Sequence, residues 1–569
     1  MTSVWAVTRT TFLQSLRSRV GLAAMVLLAL LLLAGPMMVN NTASPLADRI
    51  RTFLAYSVGM TGVLLAIITI FLSTTFLCAD VQRKQILMLA VKPLPRWQYI
   101  LGRWLGVTLL NVVLVTMAGA GIYAGAQYLR SLPDLGATDR RAIETEVFTA
   151  RRKIAPDFSK DDEEVTRAVV DRIEDLRKGG TLEEMIQGFL PQVGGDRDKA
   201  LIRIAEDLEQ QARTRLQSIP PGRYGRAYIF RDVRVDGMTR TASGTVEAVD
   251  AENFLMVLEI PLWLAAELMP GRPVDVNGAL SRVLAFQDNR LLVEVTKDPF
   301  FANGLSGLKK DDSVEITLEP VMELSYKLST GATIPSGATV RSSWLVEPED
   351  FENSRRVLNP VIQDDVPSRQ VRVIASGRCV DDAGSVVATF FNANMPGNGI
   401  VTSISIAPGD VSLLYAVGAF GPNVAAAMVT ILVQLMFIAA LGVLTATFLS
   451  FPVAVLTSGV LILFTLMMGY VSDAVKFMPA EGVNLVIHGV VGLLSLVLPN
   501  LSALSPTEAI ASGVEVATFS EPWRLMAMRP NLGTFWGALA SLQAPLATLI
   551  VLVIACVTFT RKELARVQV

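Results

Sequence analysis

The stretch ADVQRKQILMLAVKPLPRWQYILGRWLG, residues 79–106, decides how this chain is read. It carries Arg83, Lys84, Lys92, Arg96 and Arg103 against one acid, Asp80, and it lies between two apolar runs. Positive charge beside a membrane span is retained in the cytoplasm, so the stretch sets the orientation of the spans around it. Its centre, 86–91, is apolar and compatible with a helix. Lys92-Pro93-Leu94-Pro95 then ends that helix, because proline lacks the N–H and locks φ. A short helix at the cytoplasmic face, closed by a rigid break, is what a membrane subunit needs to receive force from a soluble partner.

Working outward, windows of about 20 apolar residues mark membrane helices. Six are expected: 20–39, 56–78, 104–129, 423–449, 452–472 and 537–560. A cleaved signal peptide is the rival reading of the first. Its apolar run is long for a signal core, and Leu33-Ala34-Gly35-Pro36 is a poor cleavage site, so a true span is expected. Arg9, Arg17 and Arg19 near the start, the 79–103 loop, and Arg561, Lys562 and Arg566 near the end are all basic. Six spans place all three on one side, with both termini cytoplasmic. A further apolar segment, 483–499, contains Asn484, His488, Gly489 and Gly492 and ends at Pro499-Asn500. Counting it as a span would put Arg561 and Lys562 outside, so a re-entrant or interfacial element on the outer side is expected. His488 then reads as a packed or interfacial histidine. Residues 1–19 place Trp5, Phe12 and Leu16 near helical spacing among arginines, the pattern of an interfacial helix.

Composition agrees with the membrane reading: 51% of residues are hydrophobic and mean hydropathy is +0.45. The net charge of −2 gives no ground for a nucleic-acid partner. Cys78, Cys379 and Cys556 are too scattered for a disulfide framework, and His488 is the single histidine. No cofactor, metal site or catalytic triad is expected.

Topology places 130–410 outside the cytoplasm. Residues 130–222 read as a helical stalk or hairpin, with apolar stripes Val165, Val169, Ile173, Leu176 and Leu201, Ile204, Leu208, Ala212. Ser159-x-x-Asp162 and Thr181-x-x-Glu184 read as capping boxes. Residues 223–410 change to short β-rich runs: 227–235, 244–249, 254–260, 291–295, 313–318, 339–346, 370–374, 386–391 and 400–406. That spacing predicts a β-sandwich with room for a small inserted barrel. Asp381-Asp382 reads as turn chemistry. The last segment, 411–569, holds spans four to six. The expected fold is a six-helix all-α membrane bundle with an extracytoplasmic α+β domain, a helical stalk and β-sandwich.

The residues Lys92-Pro93, Arg96-Trp97, Tyr99-Ile100-Leu101-Gly102-Arg103 and Gly106 resemble the cytoplasmic loop of ABC-2 type transporter permeases, most nearly the multicopper-enzyme-maturation permease branch. Ala440-Leu-Gly-Val-Leu-Thr-Ala-Thr-Phe-Leu-Ser-Phe-Pro-Val-Ala-Val455 is similar to that family's tight turn between spans four and five. Phe559-Thr-Arg-Lys-Glu-Leu564 is similar to its ending. The likeness covers the spans and their cytoplasmic joints, under half of the chain, and the large insert after the third span departs from compact members. It implies an integral inner-membrane permease subunit, not itself an enzyme, with 79–103 as a coupling helix. Lys92, Pro93, Arg96, Trp97 and Tyr99 would form the docking element for an ABC ATPase subunit. The chain has no GxxxxGK[ST], so ATP would be hydrolysed by a separate polypeptide. One six-span chain resembles half of a membrane unit, which implies a second copy or a similar permease as partner, besides membrane lipid.

Small residues that let helices approach stand at Gly119, Gly121 and Gly125, the last two as GxxxG. Asn111 and Gln434 are polar groups inside spans and are expected to form interhelical hydrogen bonds. No acid or base lies mid-span, which argues against proton-coupled transport. The alternative is a non-transporting anchor or scaffold that presents the outer domain, but an anchor has no use for the coupling-like loop. An enzyme reading is weaker still, since no nucleophile–base pair stands out.

Overall fold

The computed structural model describes residues 2–561 apart from 41–43, 83–94, 134–136, 223–224, 236–239, 251, 262–263, 265–267, 269, 278, 288, 296–307, 319, 332–334, 336–337, 350–360, 395–401, 477–482, 518, 520–522, 525, 528–534, 536–537 and 540. The longer helices in chain order are α1 (Thr2–Arg17), α2 (Arg19–Asn40), α3 (Leu46–Gln82), α4 (Arg96–Arg130), α5 (Ser159–Lys178), α6 (Thr181–Phe189) and α7 (Arg197–Gln217), followed by α8 (Phe420–Phe448), α9 (Phe451–Lys476), α10 (Val483–Val497), α11 (Thr507–Ser512) and α12 (Gln543–Arg561). They belong to two compact units, Met1–Ala150 with Gly418–Val569, and Arg151–Val417.

In the first unit, six described helices are long and apolar enough to cross a membrane: α2, α3, α4, α8, α9 and α12. Their order follows the six expected apolar windows. α8 is the central one, with 61% of its most apolar window buried, against 17% for α2 and 22% for α9. The outward faces of those two are apolar as well: Leu30, Leu33, Leu463 and Phe464 are all exposed. A face of that kind is stable against hydrocarbon and not against water.

Two helices run past their apolar windows. α3 continues to Gln82 and α4 begins at Arg96, so Asp80 and Arg103 are helical residues and not loop charges. The expected helix at 86–91 lies outside the described residues. α10 is a helix over Val483–Val497, and the chain then returns the way it came. α8 and α9 are joined by a two-residue turn, so Phe420 and Lys476 lie at the same end of the unit. α10 starts near that end. Beyond it, the Leu501 and Leu504 carbonyls accept from Gln434 Nε2 midway along α8 (3.5 and 3.0 Å), and Leu501 N–H reaches the Thr465 carbonyl midway along α9 (3.3 Å). Asn423, in the first turn of α8, then holds both Val514 O (2.9 Å) and Val516 N (2.7 Å). The segment thus enters to mid-depth and leaves at the end where it entered.

The second unit has three cores. The stripes of α5 and α7 meet α6 around Ile186, Ala200, Ile204 and Leu208. The helix starts at 159 and 181 are where the sequence places them, but neither capping box forms. Asp157 Oδ1 accepts from Ser159 N (3.0 Å), and the Thr181 hydroxyl turns back to the Leu176 carbonyl (3.4 Å), closing the end of α5 instead of opening α6.

The strands are β1 (Thr149–Ile154), β2 (Ser218–Ile219), β3 (Gly225–Phe230), β4 (Arg240–Asp250), β5 (Leu255–Glu259), β6 (Pro273–Val276), β7 (Ala279–Gln287), β8 (Arg290–Val295), β9 (Ser313–Leu318), β10 (Val321–Lys327), β11 (Ser329–Thr330), β12 (Val340–Glu347), β13 (Val361–Asp365), β14 (Gln370–Ser376), β15 (Val386–Asn392), β16 (Ile404–Ser405) and β17 (Val411–Ala419). Sheets β1-β17-β10-β14 and β13-β12-β15-β3 pack through Tyr228, Tyr326, Trp344, Phe390 and Tyr415 as a sandwich. β4-β5-β8-β7-β6-β9 close into a small barrel with its own core. The expected boundary at 410 is corrected by β17, which is a central strand of the sandwich up to Val417. Likewise the helical region expected over 130–222 is interrupted by β1.

Candidate functional site

The described ends of the 79–106 stretch are built into one junction at the end of the membrane unit. Its base is close helix packing. A Cβ on Gly102 would lie 2.7 Å from Val7 Cβ, and one on Gly106 would lie 2.4 Å from Thr11 Cβ. The pair Gly102-x-x-x-Gly106 therefore lets α1 lie directly on α4. The face of α1 that makes this contact is not the expected Trp5–Phe12–Leu16 stripe. Trp5 is exposed, whereas Thr8, Thr11 and Ser15 are buried. Their hydroxyls donate to the carbonyls of Val4 (2.9 Å), Val7 (2.8 Å) and Thr11 (2.8 Å), so small polar side chains enter a tight interface with their donors satisfied.

That contact delivers Thr11 and Gln14 to a buried charge cluster. Arg103 pairs with Asp80, and Tyr99 OH also donates to Asp80. Arg103 Nε donates to Tyr99 OH (3.2 Å), and its Nη1 donates to Thr11 Oγ1 (3.2 Å) and Gln14 Oε1 (3.0 Å). The Tyr99 ring stacks on Phe559 of α12 at 6.0 Å and 22°. α1, α3, α4 and α12 are thereby tied at one point. A buried guanidinium survives there because its planar fork reaches several acceptors at once.

The sequence-expected docking residues separate into three groups. Lys92 and Pro93 lie outside the described residues. Arg96 and Trp97 are near the surface: Arg96 Nη1 donates to the Thr560 carbonyl at the end of α12 (2.8 Å), and Trp97 is 48% exposed. Tyr99 is corrected: at 6% exposed it faces the Asp80–Arg103 cluster and has no surface to offer a docking partner.

The three glycines and Asn111 contact other helices of this chain, whereas the interhelical bond expected of Gln434 is corrected: its partners lie in the non-helical segment after α10. A Cβ on Gly119 would meet Met428 of α8 at 2.8 Å, one on Gly121 would meet Leu32 of α2 at 2.6 Å, and one on Gly125 would meet Phe53 of α3 at 2.6 Å. Asn111 is fully buried with its Oδ1 3.1 Å from Thr69 Oγ1 of α3, and Gln434 holds the returning segment after α10.

The Asp80–Arg103 pair escaped sequence reading, which treated Arg103 as loop charge. The available signal was Tyr99 and Arg103 at i and i+4, with Asp80 the lone acid of the 79–106 stretch. Comparison of the chain with protein-family models, with characterised proteins and with solved structures finds no match. The fold itself defines the class: a multi-pass membrane protein with, among the described residues, six apolar helices of spanning length and a separate strand-rich domain of antiparallel sheets.

Proposed function

We propose that this chain is the membrane-spanning permease subunit of an ABC-2 type transporter, driven by an ATPase on a separate polypeptide. In this reading both termini and the 79–103 loop are cytoplasmic in the inner membrane, and a second copy or a similar permease completes the unit. One observation carries it. The helix ends on either side of 83–94 are locked to α1 and α12 by the Asp80–Tyr99–Arg103 cluster and the Tyr99–Phe559 stack. A push on the intervening segment is then delivered to four helices at once, which a coupling element requires and an inert loop does not.

The anchor reading draws on the second unit, which holds its own cores and three sheets besides the barrel. The two readings part on partners. Purified from its native membrane in mild detergent, the chain is expected to bring with it a stoichiometric Walker-A ATPase. Arg96→Glu is expected to abolish that association while Arg96→Gln, which keeps a donor for the Thr560 carbonyl, weakens it less. Recovery of envelope proteins alone, or undiminished ATPase with Arg96→Glu, defeats the permease reading.

A further inference from the structure

An apolar groove of about 540 Å³ runs between α4, α8 and α12. Trp97, Leu101 and Trp104 of α4 form one wall, Val433 and Met436 of α8 the floor, and a stripe of α12 from Pro545 to Val557 the other wall. Three of the polar groups along it are engaged: Trp104 Nε1 donates to the Met436 carbonyl (3.0 Å), the Thr548 hydroxyl to the Ala544 carbonyl (2.8 Å), and the Cys556 thiol is directed at the Trp97 carbonyl (3.9 Å). Beside them only the Trp97 indole N–H remains, at the end of the groove, which is too little to hold a polar cargo, so the occupant is hydrocarbon.

Length and charge narrow the occupant. From Pro545 to Val557 the stripe is about 18 Å long at about 1.5 Å per residue, close to the roughly 15 Å hydrocarbon depth of one leaflet. Arg96 and Arg561 stand at the end nearest Trp97 and Val557: Arg96 is bonded to the Thr560 carbonyl, and exposed Arg561 follows it in the chain. Trp97 sits at the same level, as an aromatic residue does at a membrane interface. A second protein helix fits less well. Helix pairing in lipid relies on small residues, whereas the exposed lips are Leu549, Val553, Val557 and Trp97. The glycines of α4 at 102, 106, 119, 121 and 125 are already in contact with this chain's own side chains.

We propose that this groove is a binding site for one acyl chain of an anionic phospholipid, with its phosphate held by Arg96 and Arg561. The site needs only the membrane unit and stands whether or not the chain is a permease. A nearby arginine favours an anionic headgroup about fivefold, so the pair favours it about 25-fold over a zwitterionic lipid.

The full chain in vesicles, titrated with acyl-brominated phosphatidylglycerol or phosphatidylcholine, tests this through Trp97 and Trp104. Bromine quenches tryptophan on contact, and subtracting the Trp97→Phe/Trp104→Phe protein isolates the groove signal. Half-maximal quenching is expected at about 25-fold lower mole fraction of the anionic lipid. Arg96→Gln/Arg561→Gln is expected to bring the two curves within about twofold. Arg561→Gln alone, outside the packed junction, is expected to lose about fivefold. Coincident curves for the two lipids in the native chain would mean an unselective lipid-facing surface and overturn the proposal. Absence of quenching by either lipid would mean that protein covers the groove, and would overturn it too.

Discussion

Replacing Arg103 with methionine tests the junction most directly. Arg103 and Asp80 are each 11% exposed at their side chains, so the substitution strands a carboxylate that water cannot reach well. Removing one partner of a buried ion pair costs about 3–5 kcal/mol, most of it the stranded charge. Tyr99 OH still donates to Asp80, which places the expected loss at the lower end, about 3 kcal/mol. The second change, Asp80→Asn, removes the stranded charge. Arg103→Met/Asp80→Asn is therefore expected within about 1 kcal/mol of the native protein. A coupling of about 2 kcal/mol or more between the two sites follows. At about 2 °C per kcal/mol for a unit of this size, the single variant melts roughly 6 °C lower and the double variant recovers most of it. The assay is loss of the monodisperse detergent-solubilised species on heating. Proteolysis of α1 should rise in parallel, because Arg103 no longer holds Thr11 and Gln14. If the double variant melts no higher than Arg103→Met, removing the stranded carboxylate restores nothing and the account of the junction is wrong.

Two further predictions probe the helix contact and the sandwich. Gly106→Ala places a methyl 2.4 Å from Thr11 Cβ and 3.0 Å from the Thr8 carbonyl, so α1 must move; a loss of about 1–3 kcal/mol and faster cleavage within α1 are expected, whereas Gly459→Ala, with nothing within 4 Å, should leave both unchanged. In the second unit, Asp365 is 3% exposed beneath Tyr326 (2.8 Å) and Ser342, and burial raises its carboxyl above the usual range. A raised folded value means its contribution is fully present below the unfolded value, about 4, and is lost as pH rises through the folded value. Opening of the unit should therefore become easier with rising pH in that window, and Asp365→Asn should flatten the profile. Cys379 reports it: 1% exposed, with its thiol pushed up to about 12 by burial, it reacts with thiol reagents only on opening. Parallel native and Asp365→Asn labelling profiles would sink this reading.

The apolar windows were legible because spanning helices satisfy every backbone group internally, and their side chains must suit lipid wherever they are not packed. Composition alone carries that signal. Strands such as β5, β8, β9 and β15 were legible for a related reason, since alternate residues reach a core. β6 and β7 were not, because four residues of β6 are buried in succession and β7 is broken in register between Val283 and Ala285, which erases the period of two. β17 was hidden for another reason: VSLLYAVGA reads equally well as the approach to a span.

The sequence by itself determined that this chain lives in a membrane, where its six apolar helices fall, and that a large hydrophilic insert separates the third from the fourth. Local hydrophobicity suffices for that. Only the tertiary structure decided what the polar residues among those helices do. Asp80 and Arg103 read as opposite charges of one loop, yet become a single buried pair once α3 and α4 extend beyond their apolar runs. Tyr99 reads as surface and turns inward onto Phe559, 460 positions away in the chain. Gly121 and Gly125 read as a surface for another helix, and Leu32 and Phe53 of this chain already fill it. In each case the partner is distant in sequence. The free energy of pairing or close approach exists only when both are in place, so no local pattern could have disclosed it.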